Sequence, residues 1–407
     1  MTRVVDQRTR GVREAVHGPL MPLAEWLVSS WWYLLYEAPP TIPLRSPRAI
    51  RSPIPAWYRR HNLLHAREGN PLPDLTIARA DASDVLLRSY RDPRPMGSYP
   101  VQFTEECELL VRREAIVEQL RGLVETVLEW LSDCSSEDAI ELREAWSQVR
   151  AVAGDDRLLR ARAAALGLDG ADPWSVPDEL AAQLVDRAAS WPSELVEDLL
   201  ETGNANALED RFAWVEGARA IDMKSVSPSI ALDRARDVAR EARAETATAP
   251  AYRLGWRLVE AARGELLGLS ASAHGEQVDQ ALAGWIDVQP LSSTVLPLRG
   301  WVCAHGALVA ALPASATEVT RRWLRARALC VAWLGGRERL VTDAQSWSQS
   351  VSRAFATELV APVAWLRGRV KSDVIGESEL GEIASEIGAP PRAVQHQLEN
   401  HDIARVE

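Results

Sequence analysis

The 407-residue sequence is poor in cysteine, and its few cysteines are widely separated. Cys107, Cys134, Cys303 and Cys330 form no C-x-x-C pair, which argues against a disulfide framework or a zinc cluster and is typical of reduced thiols in a cytoplasm. No apolar run approaches the roughly 20 residues that a membrane-spanning helix needs. The first residues do not resemble a signal peptide. These absences predict a cytoplasmic protein without a membrane partner.

An excess of positive charge is also lacking outside the first sixty residues, where acids outnumber basic residues. The whole chain has a net charge of -11, which disfavours a general nucleic-acid binder. Residues 1–60 differ, because nine arginines and four acids give them a balance of +5. We interpret their proline-rich stretch as a solvated connector or as a docking strip for an acidic partner or a nucleic-acid backbone. The arginines of this stretch are Arg45, Arg48, Arg51, Arg59 and Arg60.

The remaining composition is that of an ordinary globular protein. Hydrophobic residues make up 47% and charged residues 25% of the chain, which suffices to bury a core without disulfides or metals. The length predicts two or three domains. We expect an α+β protein, mostly α, with a mixed N-terminal domain over 1–135, a helical domain over 136–285 and a third domain over 286–407.

Hydrophobic periodicity predicts the main elements before residue 136. The run Trp26–Tyr36 is predicted to form a buried, tryptophan-rich helix. Leu75–Ala80 and Asp84–Tyr90 alternate as half-buried strands do. From Arg112 to Ser132 the apolar residues recur at spacings of three and four, which predicts a long amphipathic helix.

The spacing of hydrophobic residues changes from helical to strand-like at Ile286, where the last predicted domain begins. Ile286–Leu291 and Trp301–Leu312 read as strands, the latter a pair hinged on Gly306. Ser315 and Glu318 then form the S-x-x-E pattern of a capping box, which predicts the start of a helix.

The next predicted helix, Ser346–Val370, carries a family resemblance. Its segment RAFATELVAP resembles the A-N-x-F-A-x-E-L-L-x-P helix of the ImmA/IrrE metallo-endopeptidases, with Arg353 where that family usually has asparagine. The segment IASEIGAPPRAVQHQLENHDIA is similar to the closing part of the same family. The matching residues are Phe355, Ala356, Glu358, Leu359 and Pro362, then Ile383, Ala384, Gly388, Val394 and Leu398. The resemblance covers about 286–407 and implies a zincin-like domain.

The resemblance also implies a zinc site whose ligands are missing here. In active members the preceding helix carries H-E-x-x-H, where two histidines hold zinc and the glutamate is the general base. This chain has Arg327, Ala328 and Val331 at those three positions, and no acid lies between Asp343 and Glu358 to supply the third ligand. An arginine cannot ligate zinc, because its fixed positive charge repels the ion. We therefore expect a pseudo-peptidase with no catalytic residue, metal or cofactor.

Loss of hydrolysis would leave binding as the function. We predict that the groove used for substrate by active relatives holds a protein or peptide partner, and that Arg327, Asp343, Phe355 and Glu358 line it. Arg327 is expected to pair with Asp343 or Glu358, or to face a partner's carboxylate, unless it reaches solvent. Active relatives cleave repressors or regulate stress, phage or mobile-element responses, so the resemblance implies a bacterial regulatory role.

Histidines elsewhere keep an enzymatic alternative open. His61 and His65 have the i, i+4 spacing of zinc ligands, although a chance pair in a polar connector is the simpler interpretation. His305 in a predicted turn lies two residues after a cysteine. His396 and His401 belong to the closing segment, where capping or packing of the final helix is the simpler interpretation. A zinc peptidase with non-standard ligands, or an unrelated hydrolase, is the alternative function.

A DNA-binding regulator is the other alternative. Ala384, Gly388, Val394 and Leu398 fit the register of a helix-turn-helix. The second helix of that motif contains one arginine, Arg392, and no lysine. Phosphate binding needs several lysines or arginines. Nucleic acid is therefore a disfavoured partner.

Overall fold

The computed structural model describes residues 4–6, 8–13, 18, 20–40, 55–91, 101–172, 176–203, 205–221, 231–246, 249–292, 295–305 and 307–407. The predicted class is confirmed, because 56% of the chain is helical and 15% is in strands, an α+β fold that is mostly α. The chain divides into two compact units. Their ranges are Met1–Trp191 with Gly203–Ala205, and Pro192–Thr202 with Asn206–Glu407. The three-part division at residues 135 and 285 stays a prediction.

The first unit combines helices with two antiparallel sheets, ordered β2-β1-β5 and β3-β4-β6. Its strands are β1 (Val4–Asp6), β2 (Val12–Arg13), β3 (Asp74–Arg79), β4 (Asp84–Tyr90), β5 (Val101–Phe103) and β6 (Cys107–Arg112). Its helices are α1 (Leu20–Ser29), α2 (Trp31–Tyr36), α3 (Ala56–His61), α4 (Arg113–Trp130), α5 (Glu137–Ala151), α6 (Gly154–Ala165) and α7 (Asp178–Ala182), with a 3-10 turn at Leu63–Ala66 and a π turn at Gln183–Arg187.

The core of the first unit is built on its tryptophan-rich segment. The prediction of one helix over Trp26–Tyr36 is wrong in detail, because Ser30 at φ -97° and ψ 2° separates α1 from α2. Both short helices bury tryptophans in a core shared with α4, whose inward face is the predicted amphipathic stripe. The buried residues of this contact include Trp26, Trp31, Trp32, Ile116, Leu120, Val124 and Val127.

The second unit places a four-stranded sheet among helices. The strand order is β10-β8-β9-β7, antiparallel except for the β7–β9 pair. Its strands are β7 (Asp287–Leu291), β8 (Leu298–His305), β9 (Ala307–Pro313), β10 (Glu338–Thr342), β11 (Val374–Ile375) and β12 (Arg405–Val406), the last two forming a parallel pair. The hinge predicted at Gly306 lies outside the described residues.

The helices of the second unit include two whose predicted bounds are wrong. They are α8 (Ser193–Leu200), α9 (Leu208–Arg219), α10 (Ala231–Glu245), α11 (Ala251–Arg263), α12 (Glu276–Ala283), α13 (Glu318–Trp333), α14 (Trp347–Val360), α15 (Val363–Arg369), α16 (Glu377–Ile387) and α17 (Pro391–Asn400), with a 3-10 turn at Ala205–Ala207 assigned partly to each unit. Thr317, not Ser315, caps α13 by accepting from the Thr320 N–H at 3.2 Å. The predicted helix over 346–370 breaks before Pro362, because a proline disfavours helical backbone at the preceding residue, and Ala361 has φ -128° and ψ 68°.

Helix α14 is central to the second unit, since it packs on α13 and on α11. Contact with α11 is very close at Gly255, where a Cβ would lie 2.7 Å from the Ala354 Cβ and from the Val351 carbonyl oxygen. Glycine is therefore required at this crossing. On the α13 side, Phe355 meets the Trp333 ring at 5.5 Å between centroids. This edge-to-face contact packs the buried Phe355 of α14 against α13.

Candidate functional site

The three residues that stand in place of the H-E-x-x-H histidines and glutamate lie in the most deeply buried part of α13. Arg327, Ala328 and Val331 are each 0% exposed. The whole stretch Ala326–Trp333 is buried, so α13 has no solvent-facing side over these two turns. Among the described residues, no groove exposes this part of the helix.

The Arg327 guanidinium is held by neutral groups from β10 and α14. Nη2 donates to the Thr342 carbonyl oxygen at 2.7 Å and to Gln349 Oε1 at 2.8 Å. Nε donates to Ser352 Oγ at 3.2 Å. The guanidinium carbon lies 4.9 Å from the centroid of the Trp323 ring, a cation–π contact. Nη1 has no acceptor among the described residues.

The expected acidic partners of Arg327 bind other groups. Asp343, about two-fifths exposed, pairs with Arg299 at 2.7 Å. Glu358 accepts from the Gln397 side chain and from the Val363 N–H. The expectation of an Arg327 ion pair with either acid is wrong, and so is the alternative that Arg327 reaches solvent or an open groove. The four predicted groove residues do not share one surface, because Arg327 and Phe355 are fully buried.

Electrostatics in this region oppose the binding of a metal ion. Burial, followed by the charge of Arg353, holds the pKa of Arg327 well below its ordinary value, with Asp343 opposing. Burial likewise lowers the pKa of Arg353 to about 10, again against the pull of Asp343. Arg353 donates to the Ala344 carbonyl oxygen at 2.8 Å and to Ser350 Oγ at 3.0 Å. Two guanidinium groups held by neutral acceptors are a poor environment for a divalent metal ion.

Side chains also close the outer edge of β10, a feature that the sequence reasoning missed. Gln349 Nε2 donates to the Leu340 carbonyl oxygen at 2.8 Å, and its Oε1 accepts from the Thr342 N–H at 3.1 Å. Asp198 accepts from the Leu340 N–H at 2.8 Å, while Arg327 covers the Thr342 carbonyl. An extended peptide binds a sheet edge through these same backbone groups. The edge is thus unavailable at Leu340 and Thr342.

A sequence signal for this closure exists in the polar run before Phe355. Gln349 and Ser352 are three residues apart and share one face of α14, and both are 0% exposed. Buried amide and hydroxyl groups require hydrogen-bond partners. The run therefore indicates a polar contact inside the fold, although its partners become visible only when β10 is placed beside α14.

The other histidines are dispersed over the two units. His61 is fully buried, so its interpretation as part of a polar connector is wrong: Nδ1 lies 2.7 Å from the Ile77 carbonyl oxygen and Nε2 lies 2.9 Å from Glu37. His65 and His305 are exposed. Across the described ranges, no three His, Cys, Asp or Glu side chains are grouped as a metal site would require.

The closing segment forms two helices, α16 and α17, as predicted. Gly388 ends α16 in the left-handed region at φ 69°. His401 caps the C-terminus of α17, and its ring lies 4.1 Å from that of Trp256, whereas His396 and Arg392 are exposed. The packing role expected for His401 is therefore present.

The basic strip is described only at its end. Arg45, Arg48 and Arg51 lie outside the described residues. Arg59 is exposed, and Arg60 forms an ion pair with Glu37 and stacks on Tyr33 at 4.2 Å.

No helix in the described part of the chain is both long and apolar enough to span a bilayer.

A comparison with known family models, curated proteins and solved structures finds no match to this chain.

Proposed function

We propose that the chain is a catalytically inactive, metallopeptidase-like protein that acts as a protein-binding or peptide-binding regulatory module. The observation that carries the proposal is the environment of Arg327, which stands at the position of the first histidine in the resembling motif. Its guanidinium fills the space between α13, α14 and β10 and hydrogen-bonds the strand edge. A buried cation in this position supports a structural role where active relatives have a metal.

The partner's contact is proposed for the surface beside this closed region. Asp343 and Arg299 are the exposed charges next to it, each with about two-fifths of its side chain accessible. Exposed charges of this kind steer partners and set specificity more than they set affinity. A bacterial stress, phage or mobile-element response is the proposed context, and it rests on the resemblance alone.

The catalytic half of the proposal is tested with the purified full chain. After incubation with zinc and dialysis, we expect substoichiometric zinc by elemental analysis and no cleavage of a fluorescent casein substrate. One zinc per chain, together with cleavage that the double change His61→Ala and His65→Ala or the single change His305→Ala abolishes, would establish the zinc-peptidase alternative instead.

The binding half is tested by crosslinking in the native host followed by reconstitution with the purified partner. Asp343→Lys should weaken that binding about tenfold, since it reverses a charge at the proposed contact. Glu386→Lys is the matched control, because Glu386 forms a comparably exposed ion pair with Arg369. Equal affinities of the two variants would show that the partner does not bind at this surface.

A further inference from the structure

The first unit contains a cavity that the proposed function does not use. Its volume is about 490 Å³, which lies within the range of ligand pockets. Trp26, Trp32, Ala66, Leu142 and Val149 supply its apolar lining. The cavity thus offers aromatic and aliphatic surface to an occupant.

Four carboxylates surround this apolar surface. Glu25 is half-buried, and Glu68, Asp138 and Glu141 are exposed. None of the four has a hydrogen-bond or ion-pair partner for its carboxylate among the described residues. Burial and the charges of Asp138, Glu68 and Glu141 raise the pKa of Glu25. Like charges this close favour a cation between them.

The four acids outnumber Arg160, the one permanently charged basic residue of the cavity lining. Arg160 donates to the carbonyl oxygens of Gly170 at 3.2 Å and Ala171 at 2.8 Å. Burial, with the charges of Arg59 and Arg67, lowers the pKa of His65, which disfavours its cationic form. The cavity is therefore electronegative at neutral pH.

Trp32 lines the cavity, but its indole N–H is buried. It is 4% exposed, and its indole N–H has no acceptor among the described residues. The neighbouring Trp26 differs, since its indole N–H donates to the Arg59 carbonyl oxygen at 2.9 Å. A buried polar group without a partner is destabilising, but this nitrogen has no accessible surface, so an occupant of the cavity meets the ring of Trp32 and not its N–H.

We propose that this cavity binds an arginine or lysine residue in a peptide segment of a partner protein. The side-chain cation meets Glu25, Glu141 and Asp138, while its aliphatic stem lies on the tryptophan surface. A bare metal ion fits less well, because the carboxylates are not grouped as ligands and the lining is apolar. The proposal does not depend on the function proposed for the second unit.

The test measures binding of acetyl-Gly-Arg-Gly-amide to the full chain by calorimetry. The matched ligand replaces arginine with citrulline, which keeps the shape and removes the charge. We expect saturable binding of the arginine peptide and at least roughly tenfold weaker binding of the citrulline peptide. Equal binding of the two peptides, or no saturable binding of the arginine peptide, would overturn the proposal.

Variants then assign the contacts. Glu25→Gln combined with Glu141→Gln should weaken the arginine peptide about tenfold or more, whereas Glu118→Gln on α4, outside the cavity lining, should leave it unchanged. Trp32→Phe is a second control, because it keeps an aromatic surface and removes a donor that the occupant does not reach, so it should leave the affinity for the peptide unchanged. If agmatine binds as tightly as the peptide, the site is one for small amines and the peptide partner is refuted. Circular dichroism confirms that each variant is folded.

Discussion

Two buried arginines of the second unit are stabilised in different ways. Arg339 forms a two-bond ion pair with Asp198 at 2.7 and 2.9 Å, and Asp198 also accepts from the Leu340 N–H. Arg327, more deeply buried, has three neutral acceptors and no carboxylate. Both side chains hydrogen-bond around β10. The difference teaches that a buried cation can be held either by a counter-ion or by dipoles, and that its removal then has different consequences.

The largest effect is expected where the counter-ion would be left behind. Arg339→Met leaves the Asp198 carboxylate buried without its cation, and breaking such a pair costs about 3–5 kcal/mol of stability. Denaturant unfolding measures this loss. Adding Asp198→Asn, which keeps an acceptor for the Leu340 N–H, should restore part of it. If the double variant is no more stable than the single one, the ion pair is not the source of the loss.

A smaller effect is expected at the arginine without a counter-ion. Arg327→Met should cost about 1–2 kcal/mol, roughly the value of one buried acceptor left unpaired. Gln349 Oε1 still accepts from the Thr342 N–H, and Ser352 still donates to the Gln349 carbonyl oxygen at 2.9 Å. Of the three acceptors of Arg327, the Thr342 carbonyl is the one left without a side-chain hydrogen bond. The same denaturant titration measures this loss. A loss as large as that of Arg339→Met would show that the two arginines do not differ in the way proposed.

The charge of Arg327 can be separated from its shape with Arg327→Lys. Lysine retains the buried charge but cannot form the forked contacts of a guanidinium. We therefore expect Arg327→Lys to be less stable than Arg327→Met. The opposite order in thermal unfolding would show that the positive charge itself is required.

The smallest effect is expected at the exposed pair. Arg299→Gln should change stability by about 0–1 kcal/mol, as is usual for surface ion pairs, and the change should shrink in high salt. A loss above about 2 kcal/mol would exceed that range. It would show that the Arg299–Asp343 pair positions Asp343 to offset the charges of Arg327 and Arg353.

Local patterns in the sequence were sufficient for some elements. The stripe of α4 and the alternation of β3 and β4 depend on neighbouring residues, so periodicity finds them. The strands β1, β2 and β5 are too short to show a period. Pro362 was a readable signal for the end of α14, but the apolar pattern on both sides of it suggested one continuous helix.

The candidate site was predictable only in part. The replacement of motif positions by Arg327 can be read directly from the sequence, whereas its surroundings depend on β10 and α14 meeting beside it. Gln349 and Ser352 are more than twenty residues away along the chain. His61 shows the same limit, because it contacts Glu37 at the end of α2 as well as Trp57 of its own helix, whose ring stacks on it at 4.1 Å.

The close crossing at Gly255 has a consequence for how the second unit opens. With α11 in near-backbone contact on one side and α13 on the other, α14 cannot separate without disrupting both neighbours. Its backbone amides should therefore exchange with deuterated solvent among the slowest in this unit, at a rate set by cooperative unfolding. A Gly255→Ala change, by pushing α11 away, would convert that slow exchange into a local and faster process.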